Sequence, residues 1–169
     1  MAENSVLKLD PVLEKSMNEQ INAEFNAFYA YQALYNHFNR HDVALINTAS
    51  FFKKSSEEEV EHANKLICYI NKRGGTVELQ DIKAISITSI TMLAAFELAL
   101  SLELAVHKRL LAVHDIAAQV NDCHVMDFLE GEFLTEQVDA EDGLMRIITN
   151  IKRTGPGLGE YLSDKDIPH

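Results

Sequence analysis

Residues 57–66 read Glu-Glu-Glu-Val-Glu-His-Ala-Asn-Lys-Leu and contain the pattern Glu59-x-x-His62. In a helix, positions i and i+3 lie on one face, so a carboxylate and an imidazole would project side by side, one turn apart. Helical bundles that bind paired metal ions use this arrangement in their interior. The pattern also arises by chance on helix surfaces, so it becomes informative only if the face that carries it is buried.

The chain around this pattern is predicted to be helical. Its only prolines are Pro11, Pro156 and Pro168, so residues 12–155 contain none, and this stretch is rich in good helix formers. Gly74 and Gly75 are a typical signal for the end of a helix. We predict four long helices, from Pro11 to Asn39, Ala44 to Arg73, Ser89 to Gln119 and His124 to Arg153. A short fifth helix is predicted near residues 159–165.

The lengths of the connections predict the order of these helices. The links at 40–43 and 120–122 are short, and each therefore joins antiparallel neighbours. The link from Gly74 to Thr88 can run back along a helix of about 42 Å, so the second and third helices can be parallel. Residues 82–90 alternate weakly like a strand, and within a bundle we interpret them as an extended crossover. The sequence therefore predicts an all-α, up-down-down-up four-helix bundle with one long crossover and a short C-terminal fifth helix, forming a single domain over residues 1–169.

Each long helix has an apolar stripe that is interrupted by a residue able to bind metal. These residues are Glu24 in the first helix, Glu59 and His62 in the second, Glu103 in the third and Gln137 in the fourth. The third stripe is Met92, Phe96, Ala99, Glu103, Val106, Leu110 and Val113, and the fourth is Phe133, Gln137, Ala140, Leu144, Ile147 and Ile151. Other registers also fit these two helices. Buried carboxylates near one another repel, and divalent cations compensate them. Carboxylate and imidazole ligands with open positions suit iron that reacts with dioxygen.

Composition agrees with a globular protein that handles cations. The chain of 169 residues is 47% apolar and has 15 basic against 26 acidic residues, a net charge of −11. This balance argues against nucleic acid or a membrane surface as a partner, because both attract Lys and Arg. Charge alone indicates only good solubility. No transmembrane run and no secretory signal are visible, so a cytoplasmic location is expected. Cys68 and Cys123 lack C-x-x-C spacing and are expected to be free thiols.

Several segments, in order between residues 18 and 165, together resemble the ferritin family. They are residues 57–66, Asp42-Val43-Ala44-Leu45, Asn71-Lys72-Arg73-Gly74-Gly75, Leu79-Gln80-Asp81-Ile82, Glu136-Gln137-Val138 and Gly159-Glu160-Tyr161-Leu162. The chain is similar to the heavy, ferroxidase-bearing type, because light-type subunits lose the equivalents of Glu24, Glu59 and His62. The resemblance implies iron storage and detoxification, with oxidation of Fe(II) by dioxygen inside the bundle. It also implies a shell of twenty-four subunits that holds the ferric mineral and can include other ferritin subunit types.

The resemblance also implies a role for each residue of a di-iron centre. One iron ion would be bound by Glu24 and His62, and Glu59 would bridge both ions. The second ion would be bound by Glu103, with Gln137 hydrogen-bonded to the water or oxygen that it carries. Iron is thus expected as a transient substrate, two ions per subunit, and Zn(II) or another divalent ion can take its place.

Further residues are implied to support the centre or to guide iron. Tyr31 would be a partner of the centre. Residues 121–130 resemble the segment that lines the threefold channels, where Asp127 and Glu130 would present two carboxylate rings to entering Fe(II). Acidic residues in this place also simply favour a helix N-terminus. Glu58 and Glu61 resemble cavity-facing carboxylates that nucleate mineral.

The sequence departs from the family pattern at one of these positions, and it predicts structural roles elsewhere. Asn64 stands where heavy-type chains commonly have a third nucleation carboxylate, which predicts less efficient nucleation. His37 and His41 are expected to be solvated. Gly131 and Gly143 cost about 1 kcal/mol each against Ala inside a helix, so they are expected to mark a bend or close packing.

Two other functions are open to the sequence alone. The first is a shell that stores iron but oxidises it slowly, against which the intact set of Glu24, Glu59 and His62 argues. The second is a di-iron oxidoreductase that acts on an organic substrate. Such enzymes usually carry Glu-x-x-His on two helices, whereas Glu103 is followed at i+3 by Val106.

Overall fold

The computed structural model describes residues 8–168, which form four long helical segments and a short fifth helix. The helices are α1 (Pro11–Phe38), α2 (Ile46–Lys72), α3 (Met92–Gln119), α4 (Cys123–Leu129), α5 (Thr135–Thr154) and α6 (Leu158–Lys165). A π-helical turn (Glu130–Leu134) joins α4 to α5 into one continuous fourth helix. Within residues 8–168 there are no strands, and no helix there is long and apolar enough to cross a membrane. Residues 1–7, where the sequence shows no secretory signal, lie outside this range.

Local sequence sets the ends of these helices. Asp10 caps α1, because its Oδ1 accepts a hydrogen bond from the backbone N–H of Val12 at 2.8 Å. α2 ends just before Gly74, whose φ of 69° lies in the left-handed region that glycine adopts easily. α2 also begins two residues later than predicted, since Ala44 has a φ of 53° and cannot belong to the helix.

Asparagine side chains on α1 hold the long crossover in an extended conformation. Asn18 donates to the carbonyl of Thr76 at 2.9 Å and accepts from the backbone N–H of Glu78 at 2.7 Å. Two turns further along α1, Asn26 accepts from the N–H of Lys83 at 3.0 Å. The crossover therefore runs parallel to α1 and carries the chain back to the far end of the bundle. This confirms the prediction of an extended crossover.

Contacts along α3 show the direction of the fourth helix. Glu130, near its start, lies 2.7 Å from His114, near the end of α3. Lys152, near its end, lies 2.8 Å from Glu97, near the start of α3. The fourth helix is therefore antiparallel to α3, and the bundle is up-down-down-up as predicted.

His37 is buried, so the prediction that it is solvated is wrong. It is 6% exposed, its Nε2 donates to the carbonyl of Ile90 at 3.1 Å, and its ring packs edge-on against Phe38. The end of the crossover covers this side chain and supplies its acceptor. A histidine near a helix end is exposed unless another segment covers it. The periodicity of one helix does not reveal such a covering segment.

Two apolar clusters fill the bundle. One cluster includes Met17, Leu66, Leu110 and Val125, and the other includes Phe38, Phe52, Phe96 and Ile151. All seven members of the predicted third stripe are buried. In the fourth stripe, Ala140 and Ile147 are only half-buried, and Ile148 is buried instead.

The π-helical turn alters the register of the fourth helix. The buried residues around it are spaced four apart: Val125, Leu129, Phe133 and Gln137. In a regular α-helix, three such steps would move the last residue about 120° around the axis. The wider π turn brings Gln137 back to the face that contacts the core. Gly131 lies in this turn, but an added Cβ would contact nothing within 4 Å there or at Gly143, so close packing explains neither glycine.

Candidate metal centre

Three of the predicted ligand residues meet in the middle of the bundle. Glu24 lies on α1, and Glu59 and His62 lie one turn apart on α2. One ligand atom from each residue lies within 4.8 Å of the other two. Glu24 is 0% and Glu59 4% exposed, while His62 is half-buried. Among the residues that the structure describes, these form the one cluster of three or more acidic, His or Cys side chains with metal-ligand spacing.

The centre lies between the two apolar clusters. Along α2, Phe52 belongs to one cluster and Leu66 to the other, with Glu59 between them. Glu103 on α3 and Gln137 on α5 occupy the corresponding boundary of their helices. The polar layer therefore interrupts the core at one level of the bundle, and packing on both sides holds its side chains in place.

Glu103, Tyr31 and Gln137 form a second group beside the first. The hydroxyl of Tyr31 donates to Glu103 Oε1. Gln137 Nε2 donates to Glu103 Oε2 at 2.5 Å and to the Glu103 carbonyl at 2.9 Å. All three side chains are buried. Both oxygens of the Glu103 carboxylate are thus engaged by neutral donors.

Two oxygens of the first group accept no hydrogen bond among residues 8–168 when both carboxylates are ionised, whereas a proton retained by either one is shared between Glu24 and Glu59. These oxygens are Glu24 Oε2 and Glu59 Oε2, and both are buried. A buried carboxylate oxygen without a partner costs free energy, and more so when a second carboxylate is close to it. A divalent cation placed between these oxygens and the His62 imidazole would satisfy all three ligands. The donor set therefore fits a hard or borderline cation such as Fe(II).

The same burial changes the acidity of the centre. Burial raises the pKa of Glu59 to about 8, with a further contribution from the nearby charge of Glu103. Burial, and then the charge of Glu59, raises the pKa of Glu24 well above its usual value. Burial and the Glu103 carboxylate raise the pKa of Tyr31 in the same direction. The metal-free centre therefore retains protons near neutral pH, and a metal ion must displace them.

A cleft of about 480 Å³ leads to the centre. Its lining includes Tyr31, Glu58, Glu59, His62, Glu103, Glu136 and Gln137. Glu136 was not among the predicted site residues, although its Oε2 lies 3.3 Å from His62 Nε2. Its position in the sequence could have identified it, because Glu136 directly precedes the predicted site residue Gln137 and can reach the same cleft. Glu58 is half-buried in this cleft, and burial raises its pKa. Glu61, by contrast, is exposed and does not line the cleft.

The acidic residues predicted to line a channel lie apart from the centre. Asp127 is exposed in α4, and Glu130 is exposed at the start of the π-helical turn. Glu130 Oε1 lies 2.7 Å from His114 Nε2 on α3. Cys68 and Cys123 are free thiols, as predicted, and both are exposed.

A bundle that buries carboxylates, an imidazole and an amide at one level of four helices defines the class of carboxylate-type metal proteins. More narrowly, the chain belongs to the ferritin family, because the family described as the ferritin-like domain matches residues 14–154. It is 49% identical over 154 residues to soma ferritin of Lymnaea stagnalis, covering 90% of this chain and 88% of that protein.

Other relatives agree with this family. The chain is 48% identical over 154 residues to the ferritin heavy chain of Echinococcus granulosus, covering 90% of this chain and 89% of the relative. It is 46% identical over 153 residues to the chloroplastic ferritin-4 of Arabidopsis thaliana, covering 88% of this chain and 59% of the relative. The resemblance to ferritins found in the sequence is therefore confirmed.

The raised pKa of Glu59 predicts how the stability of the metal-free protein depends on pH. Between 4.5 and about 8, the folded protein holds a proton that the unfolded chain releases. The free energy of unfolding should therefore fall as pH rises through this window, by up to about 1.4 kcal/mol per pH unit for each proton. Glu59→Gln should remove this part of the dependence. Denaturant unfolding of metal-free protein across the window measures it.

The control for this experiment is Glu61→Gln, which changes an exposed glutamate two positions away on α2. This variant should keep the pH dependence of the wild type. Equal pH dependence in the wild type and Glu59→Gln would contradict the assignment of a retained proton to Glu59.

Proposed function

We propose that this protein is an iron-storage ferritin subunit of the ferroxidase-bearing type, and that its bundle centre oxidises Fe(II) with dioxygen. The observation that carries the proposal is the meeting of Glu24, Glu59 and His62 within 4.8 Å, with two buried carboxylate oxygens that lack partners. Membership of the ferritin family supports iron as the cargo. Two of the similar proteins are named as heavy chains, from Echinococcus granulosus and Schistosoma mansoni.

In this proposal the chain supplies charge, position and a protected space. Glu24 and His62 hold one Fe(II), Glu59 bridges to the second, and Glu103 binds the second with Gln137 beside it. Each of the two Fe(II) ions gives up one electron, and one dioxygen molecule accepts both electrons with two protons to give hydrogen peroxide. Anionic oxygen ligands favour the higher charge of Fe(III) over Fe(II), so the carboxylates promote loss of the electron. The cleft past Glu58 and Glu136 offers a path for ions on an acidic lining.

The two alternative functions are less well supported. A shell that only stores iron has no need for Glu24, Glu59 and His62 at ligand distance in a buried position. An oxidoreductase of the related type would have a second Glu-x-x-His pattern, but Val106 stands at that position and packs in an apolar cluster. The available ligands therefore favour iron oxidation, with one histidine at the centre.

We also propose the surroundings in which the centre works. The chain would form a single domain and assemble into a shell of twenty-four subunits, alone or mixed with other ferritin subunits. Asp127 and Glu130 would guide Fe(II) through channels, and Glu58 and Glu61 would serve the growing mineral. A cytoplasmic location is supported by the two free cysteines, which are typical of a reducing compartment.

The first test removes ligands from the centre. Glu59→Ala and His62→Ala should each abolish rapid Fe(II) oxidation, because each removes one of the three ligands that meet within 4.8 Å. The shell should still assemble, and metal-free stability of Glu59→Ala should hold or rise, since a buried polar carboxyl group is lost. The measurement is the initial rate of oxygen consumption with Fe(II) on the assembled variants, which tests whether these residues form the oxidation centre. Wild-type rates in either variant would refute the proposed centre.

A second test follows from the unequal ligands of the two ions. Glu24, Glu59 and His62 form one position with free oxygens, whereas both oxygens of Glu103 are engaged by Tyr31 and Gln137. The position at Glu103 should therefore bind metal more weakly. Such weakness would let oxidised iron leave for the mineral.

Replacing the neutral ligand at the weaker position should strengthen it. Gln137→Glu adds a carboxylate, so it should retain more iron at the centre and slow sustained turnover while leaving the first burst of oxidation intact. Anaerobic calorimetric titration of metal-free shells with Fe(II) or Zn(II) measures the two affinities. Two equal positions in the wild type, or unchanged iron retention in Gln137→Glu, would overturn this asymmetry.

A third test concerns the delivery of iron. Asp127→Ala with Glu130→Ala should slow oxidation at low Fe(II) and flatten its dependence on ionic strength, because two carboxylates no longer attract the cation. Asp81→Ala with Asp142→Ala is a control that removes the same charge from two other exposed positions. If both double variants behave alike, Asp127 and Glu130 are ordinary helix-end charges.

A further inference from the structure

A buried amide on α1 contacts the centre without belonging to the predicted ligand set. Gln20 is 1% exposed and lies one turn before Glu24 on the same helix. Its Nε2 donates to Glu24 Oε1 at 2.7 Å. The Oε1 of Gln20 has no hydrogen-bond partner among residues 8–168. The bond to Glu24 is therefore the one polar contact that this side chain makes in the described structure.

The chemistry of the pair determines which end of the amide faces Glu24. In the ionised form of Glu24 that binds a metal ion, an amide turned over would place two acceptor oxygens 2.7 Å apart, which is repulsive. Packing alone does not explain an amide here, because Met17 and Ile21 beside it are buried and apolar. An apolar residue of similar size would fill the space without leaving a buried oxygen unpaired.

The hydrogen bond gives the two oxygens of the Glu24 carboxylate different roles. Oε1 is held by Gln20, and Oε2 is buried without a hydrogen-bond partner among residues 8–168. The Glu24 carboxylate belongs to the cluster with Glu59 and His62. A carboxylate held at one oxygen has lost its freedom to rotate before metal arrives. The donor is neutral, so it anchors the carboxylate without adding a positive charge that would repel a cation.

We propose that Gln20 is a positioning residue of the iron centre, which holds Glu24 so that its free oxygen is presented to the metal ion. The inference rests on the proposed function, since it takes Glu24 to be a metal ligand. Gln20 itself touches no metal. Its contribution is to the affinity of the stronger position and to the concentration of Fe(II) at which that position fills.

The test is the replacement Gln20→Met, which keeps the approximate volume and removes the donor. Metal-free assembled protein is titrated anaerobically with Zn(II) by calorimetry, and the variant should bind at the stronger position about tenfold or more weakly. The KM for Fe(II) should rise by a similar factor, with a smaller change in kcat. The Tm of the metal-free variant should be unchanged or higher, because an unpaired buried oxygen is lost. Gln20→Leu is a second variant with a shorter, branched apolar side chain, should the methionine pack poorly.

Asn18→Leu is the matched control, because Asn18 is a buried amide on the same turn of α1 that bonds the crossover instead of the centre. It should lower Tm and leave Zn(II) affinity unchanged. Wild-type Zn(II) affinity in both Gln20 variants would overturn the inference. An equal loss of affinity in Asn18→Leu would also overturn it, since any damage to α1 would then have the same effect.

Glu24→Ala separates this inference from the function on which it rests. Weaker Zn(II) binding in Glu24→Ala with wild-type binding in the Gln20 variants would refute only the role of Gln20. Wild-type binding in Glu24→Ala would refute the proposed metal centre itself.

Discussion

Mutual repulsion among carboxylates buried at one level of the bundle is the constraint on which this structure depends. Glu24, Glu59 and Glu103 come from three helices and are withdrawn from water. Without a cation, burial raises the pKa of Glu24 and of Glu59, so these two side chains retain protons that a cation would displace. With one, their charge becomes the source of affinity. The protein thus carries a locally unfavourable arrangement that a bound cation would relieve.

The remainder of the core makes this arrangement tolerable. An apolar cluster lies on each side of the polar layer, so both ends of every helix are fixed by packing while the middle carries the charge. Neutral donors then orient the carboxylates: Gln20 contacts Glu24, and Tyr31 and Gln137 contact Glu103. Neutral partners satisfy oxygens without cancelling the negative charge that attracts a cation.

Much of the fold and of the centre could be predicted, because both follow from periodicity within single helices. An apolar stripe shows which face is buried, and Glu103 on such a stripe must be buried with it. The features that were not predicted correctly have a different origin. His37 is covered by the crossover, and the π-helical turn before Gln137 arises where the fourth helix must keep its face on the core. Neither the burial of His37 nor the π-helical turn is determined by the sequence of a single helix, because each depends on packing against another part of the chain.

The sequence by itself determined the four helices, their order and the candidate ligands, because helix propensity, link length and side-chain spacing are local properties. Tertiary structure alone decided how those ligands meet. Gln20 bonds one oxygen of Glu24, and Glu136 reaches from another helix to within 3.3 Å of His62 Nε2. Hydrogen bonds and electrostatic contacts act over a few ångströms in space, and only the packed bundle specifies those distances.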